Sequence, residues 1–114
     1  MVETVQQNIA FRLAALDYNG EGDEITITWS DLEKAEVGQR WIANSGNMLR
    51  DCCTYDELEV VYKSDTYIIC LHTWETIGGY PDYPVNRHAR LIFFVMDPDI
   101  KIEEELIKIR SKEV

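Results

Sequence analysis

The sequence predicts a single α+β domain with elements in the order α-β-α-β-β-β-α, built as a four-stranded, mostly antiparallel sheet with helices packed mainly on one face. Three observations carry that expectation. Two strongly apolar segments, residues 67–74 and 91–96, lack clean alternation and so read as central strands covered on both faces. Val2, Val5, Ile9, Leu13 and Leu16 recur at spacings of three and four, the stripe of an amphipathic helix. Ile102, Leu106 and Ile109 repeat such a stripe behind Asp97 and Pro98, an acid and a proline suited to a helix start.

The elements between follow from local pattern. Phe11 lies off the first stripe and is expected to be taken up by a neighbouring element, while Asn19 and Gly20 supply a left-handed stop. Ile25, Ile27 and Trp29 alternate with Glu24, Thr26 and Thr28, as in a strand with one wet face. Ser30 and Glu33 fit a capping box, so a second helix is expected from Ser30 through Trp41 and Ile42. Strand, helix and the next strand then form a crossover. Leu58, Val60 and Tyr62 alternate with Glu59, Val61 and Lys63, a strand nearer an edge than the two that follow. Ser64 and Asp65 are short enough for a tight hairpin.

A chain of 114 residues, 46% hydrophobic and 28% charged, matches one globular domain that buries a core without metal or disulfide staples. The formal net charge is −10, and residues 1–65 hold 13 acids against 5 bases. Such a surface repels nucleic acid and anionic membranes and attracts basic proteins and cations. No basic and apolar leader is present, and the apolar run at 91–96 is too short to cross a bilayer, so a cytoplasmic location is expected. The odd count of three cysteines, Cys52, Cys53 and Cys70, argues for free thiols.

Candidate chemistry is sparse. Residues 17–32 resemble an EF-hand calcium loop in outline, through Asp17, Asn19, Glu21 and Gly22. The later half fits only around an insertion at residues 23–25, with Asp31 in place of the bidentate glutamate, so a plain acidic turn is expected. Cys70 and His72 share a strand face but lack the paired spacing of a zinc site, and no metal or cofactor is expected. No phosphate-cradling loop or nucleophile elbow is present, so no enzyme is expected. Residues 75–90 form a long loop in which Tyr80, Asp82, Tyr83, Arg87, His88 and Arg90 are recognition-type residues. Asp23, Glu24, Asp31, Glu33 and Glu36 supply charge, and Trp74 joins the tyrosines as an anchor.

The expectation is therefore an acidic interaction protein that binds, and inhibits, a basic protein or a nucleic-acid-processing enzyme, as immunity proteins and DNA mimics do. Two alternatives come from other classes. One is a small-molecule or nucleotide pocket under the 76–90 loop, with Arg87 and Arg90 holding an anion. The other is a structural component of an assembly, contacting its neighbours through Phe11 and an exposed strand edge.

Overall fold

The computed structural model describes residues 2–6, 10–16, 20–45, 53–77 and 85–95. The elements are β1 (Val2–Gln6), β2 (Phe11–Leu16), β3 (Gly22–Ile27), α1 (Trp29–Lys34), β4 (Arg40–Asn44), β5 (Cys53–Lys63), β6 (Tyr67–Ile77) and β7 (Val85–Val95). They build a five-stranded sheet of order β1-β7-β6-β5-β4 and a two-stranded sheet, β2-β3. Every pairing is antiparallel except that of β1 with β7. No helix among the described residues is long and apolar enough to cross a membrane.

This corrects the α+β expectation: the described chain is strand-rich, with one short helix. No described residue between 2 and 16 is helical. These residues supply β1 and β2, and β2 buries Leu13 and Ala15 with Phe11 half-buried on the same side. The period there is two rather than 3.6, and Phe11, which the helical stripe left out, belongs to the true apolar face. The second helix begins at Trp29, not Ser30. Its capping box is Thr28 with Asp31, each side chain bonding the other's backbone amide. Thr28→Ala should cost about 1 kcal/mol, read as a lower denaturant midpoint.

The helix stops after Lys34. The C-cap Ala35 is extended, Gly38 takes φ +98°, and Trp41 and Ala43 turn inward from a strand. Lys63 Nζ donates to the carbonyls of Glu33 and Ala35 at 2.8 and 2.6 Å, setting a cation against the negative end of the helix. The expected crossover is absent, because β3 and β4 belong to different sheets. The predicted final helix lies outside the described residues.

The core between the sheets joins Leu13, Ala15 and Ile27 of the hairpin and Leu32 of α1 to Ala43, Leu58, Val60, Ile68, Cys70, Ile92 and Phe94. A second cluster, Tyr67, Ile69, Phe93 and Val95, occupies the opposite face of the large sheet. β6 over residues 67–70 and β7 over residues 92–95 are thus apolar on both faces, as the strongly apolar segments imply. β5 and β7 each lie one strand from an edge, so the expectation that β5 is nearer an edge holds against β6 alone. The Ser64 turn closes as a hairpin, with Ser64 N donating to Tyr67 O at 2.9 Å.

Gly22 faces Leu16 at φ +142°, and a Cβ there would overlap the Ala15 carbonyl. Gly22→Ala combines strained backbone with a clash against main chain that has no room to yield. It should destabilise by more than about 2 kcal/mol, whereas Gly20→Ala, whose Cβ meets nothing, should cost less. Parallel urea melts of the two variants test the difference.

Candidate functional site

Two surfaces of different character emerge from the predicted residues. The first lies on β6 and β7, where Trp74, His88 and Arg90 share one face of the large sheet with His72. Trp74 stacks between His72 and His88, with centroids at 4.7 and 5.1 Å and both interplanar angles 20°. The Arg90 guanidinium sits 5.2 Å from the Trp74 ring centroid. Below this ladder runs a polar row across four strands. Glu3 pairs with Arg90 at 2.6 Å, Arg90 Nε donates to His72 Nδ1 at 2.9 Å, and His72 Nε2 meets Asp56 Oδ1.

That chain of contacts fixes the imidazole. Since Nδ1 accepts from arginine, the proton resides on Nε2 and is donated to Asp56. Both ring nitrogens are committed, and His72 and Asp56 are each only 7% exposed. His72 is therefore held as a structural link, not a free base. Asp56 Oδ2 in turn accepts from Ala14 N at 3.0 Å, tying the hairpin to the large sheet. Phe11, half-buried, closes the row edge-on against His72 and Phe94, as a residue taken up by a neighbouring element does.

Arg87 and Arg90 do not converge. Three positions apart on one strand, they project from opposite faces. Arg87 pairs with Glu75 at 2.8 Å and Arg90 with Glu3. The loop shrinks as well, because β6 runs to Ile77 and β7 starts at Val85. Tyr80, Asp82 and Tyr83 lie outside the described residues.

On Arg87's face, Arg40, Tyr55, Glu57, Thr73, Glu75 and Arg87 line a shallow depression. Burial pushes the Glu57 carboxyl up, but hydrogen bonds from Arg40 and Tyr55, with the charge of Arg40, outweigh it and hold the group below its usual 4.5. With a folded value below the unfolded one, Glu57 stabilises the fold above about pH 4.5, and that contribution is lost as pH falls through the depressed value. Glu57→Gln should flatten the dependence of stability on pH below 4.5, measured by urea melts across the acid range.

The second surface is acidic. Glu21, Asp23, Glu24, Asp31, Glu33 and Glu36 are all exposed along residues 20–36, where Lys34 is the only base. Several are oriented by the fold. Asp23 accepts from Asn44 N at 3.1 Å, Glu24 pairs with Arg12, and Glu33 accepts from the Trp29 indole at 2.6 Å. Asp31, held low by the Thr28 amide and hydroxyl, stays ionised as the helix cap. β3 contacts β4, which sets Asp23 beside Asn44, whereas Glu33 lies by Lys63, Ser64 and Asp65 at the β5–β6 turn. Trp74 and His88 belong to β6 and β7, not to the elements that carry these acids.

Sequence reasoning missed Asp56, Glu3 and Glu57. Each is an acid in an alternating strand, and period alone does not show which face a partner strand will cover. Cys70 is fully buried, and burial raises its thiol to about 12, so it is inert as a nucleophile. No group of three or more metal-ligating side chains occurs among the described residues.

Fold and surface together define a strand-rich, two-sheet protein whose residues 20–36 carry six exposed acids. Comparison with protein-family models, with curated proteins and with solved structures finds no match to this chain.

Proposed function

We propose that this chain is a non-enzymatic binding protein that engages a basic surface of another protein through the carboxylates of β3, α1 and the turn after it. One observation carries the reading: Glu21, Asp23, Glu24, Asp31, Glu33 and Glu36 are exposed on one continuous segment with Lys34 as its sole base. Hydrogen bonding of Asp23, Asp31 and Glu33 within the chain leaves their charge intact and sets their direction, which lowers the entropy lost on binding. Basic grooves are the common property of nucleic-acid-processing enzymes. Inhibition of such an enzyme, by an immunity-type or DNA-mimic mode, is the specific form of the proposal.

Affinity capture on immobilised protein tests it, using wild type beside the combined variant Glu21→Gln, Glu24→Gln, Glu33→Gln and Glu36→Gln. Asp23 and Asp31 are kept because they hold β4 and the helix cap. The expected result is a basic protein retained by wild type, weakened at least tenfold by neutralisation and steadily weakened by salt. Equal retention by both forms, or indifference to salt, would sink the proposal.

A further inference from the structure

We infer that the outer edge of β4 accepts an added strand: an extended partner segment with an apolar centre and basic flanks. This rests on the basic-partner reading above and names the mode of contact. Backbone direction comes first. Val60 N donates to the Gln39 carbonyl at 3.0 Å, which turns the main-chain groups of Gln39, Trp41 and Ala43 toward β5. Those of Arg40, Ile42 and Asn44 therefore point away from β5. The Asn44 amide confirms the direction, since Asp23 Oδ2, from the other sheet, caps it at 3.1 Å.

Arg40 and Ile42 are left with outward N–H and C=O groups that have no partner among the described residues. The two side chains that stand out as large and apolar yet exposed are Ile42, 42% exposed, and Val37, 60% exposed, on this strand and just before it. Unpaired backbone beside exposed apolar side chains is the signature of strand addition.

Charge selects the occupant. Asp23 stands at the Asn44 end of the edge, Glu36 precedes its start, and Glu59 lies opposite Arg40 on β5. Arg40 itself is paired with Glu57. A second copy would bring together two chains that each carry a net charge of −10, which oppose one another. An incoming strand with an apolar residue against Ile42 and lysine or arginine beyond it meets complementary groups along its length.

The test uses the full chain and four probes: the acetylated heptapeptide KKVTVKK, the same peptide N-methylated on alternate amides, the uncharged SSVTVSS, and hexalysine. Amide hydrogen exchange at Arg40 and Ile42 is followed by NMR. KKVTVKK should slow exchange at Ile42 at least tenfold, the N-methylated peptide should not, and Ile42→Pro should abolish binding. That proline removes only an outward donor and leaves the β4–β5 ladder intact.

Binding of KKVTVKK and hexalysine with Ile42 exchange unchanged would overturn strand addition and leave the acidic-surface reading standing. Equal protection by SSVTVSS would overturn the basic partner and leave the edge. Slowing that rises with protein concentration, without peptide, would overturn the choice of partner in favour of self-pairing. Silence from every probe would overturn both.

Discussion

Asp56→Ala should destabilise the protein by about 3–5 kcal/mol, seen as a large fall in the urea midpoint. The carboxylate has two partners on two layers, His72 Nε2 on the large sheet and Ala14 N on the hairpin. Truncation strands an amide and an imidazole N–H together, and the cost of leaving buried donors unpaired exceeds the net worth of the bonds themselves. Loss of the Ala14 contact also frees the hairpin, so amide exchange along β2 should quicken more than along β6. A control separates pairing from packing. Replacing Asp56 and His72 together by apolar residues of similar volume should recover much of the loss, because no orphaned polar partner remains in the pair. A single-variant cost below about 1 kcal/mol would show that the row is not the tie described.

Phe94→Ala should cost a similar amount, about 3–5 kcal/mol, through a different mechanism. Phe94 is 1% exposed and lies in the layer between the sheets, edge-on to Phe11 with centroids at 5.7 Å. Truncation removes apolar surface and leaves a cavity that two packed sheets close only in part. The pair with Phe11 adds a coupling of about 0.5–1.5 kcal/mol, measurable as non-additivity in a Phe11→Ala, Phe94→Ala cycle. Strict additivity would mean that the rings touch without the edge-to-face preference the geometry implies.

What was legible in the chain follows the reach of each signal. Alternation in residues 24–27 and 58–63 and the strongly apolar segments at 67–74 and 91–95 fall on strands, because burial of a strand face leaves a local mark, while Trp29, expected as an inward strand residue, opens the helix instead. The Ser64–Asp65 hairpin was legible for the same reason. The first sixteen residues misled because Val2, Val5, Ile9, Leu13 and Leu16 match a helical stripe by accident, while Phe11, Leu13 and Ala15 carry a period of two. Six residues cannot distinguish the templates when the opposing surface is unknown. The cap lies two positions earlier than expected because Thr28–Asp31 and Ser30–Glu33 both have capping spacing, and local sequence does not choose between them.

The site was less legible than the fold. The acidic segment was visible as composition, and its exposure agrees with that reading. The row from Glu3 to Asp56 joins residues from β1, β5, β6 and β7, and nothing in a single sequence records the register that aligns them. The same limit placed Arg87 and Arg90 together in expectation and on opposite faces in the fold.

The parallel seam between β1 and β7 has a temporal consequence. Val2 pairs beside Leu91, so the first described strand can dock here only once the last described strand exists. At ordinary synthesis rates of about 5–20 residues per second, β1 waits on the order of ten seconds after it is made, while the β2–β3 hairpin forms from neighbours already present. Closure of that seam also carries the largest loop entropy in the described sheet. The Glu3–Arg90 pair, which completes the polar row, cannot form until β7 exists, and of the row's links it closes the longest stretch of chain.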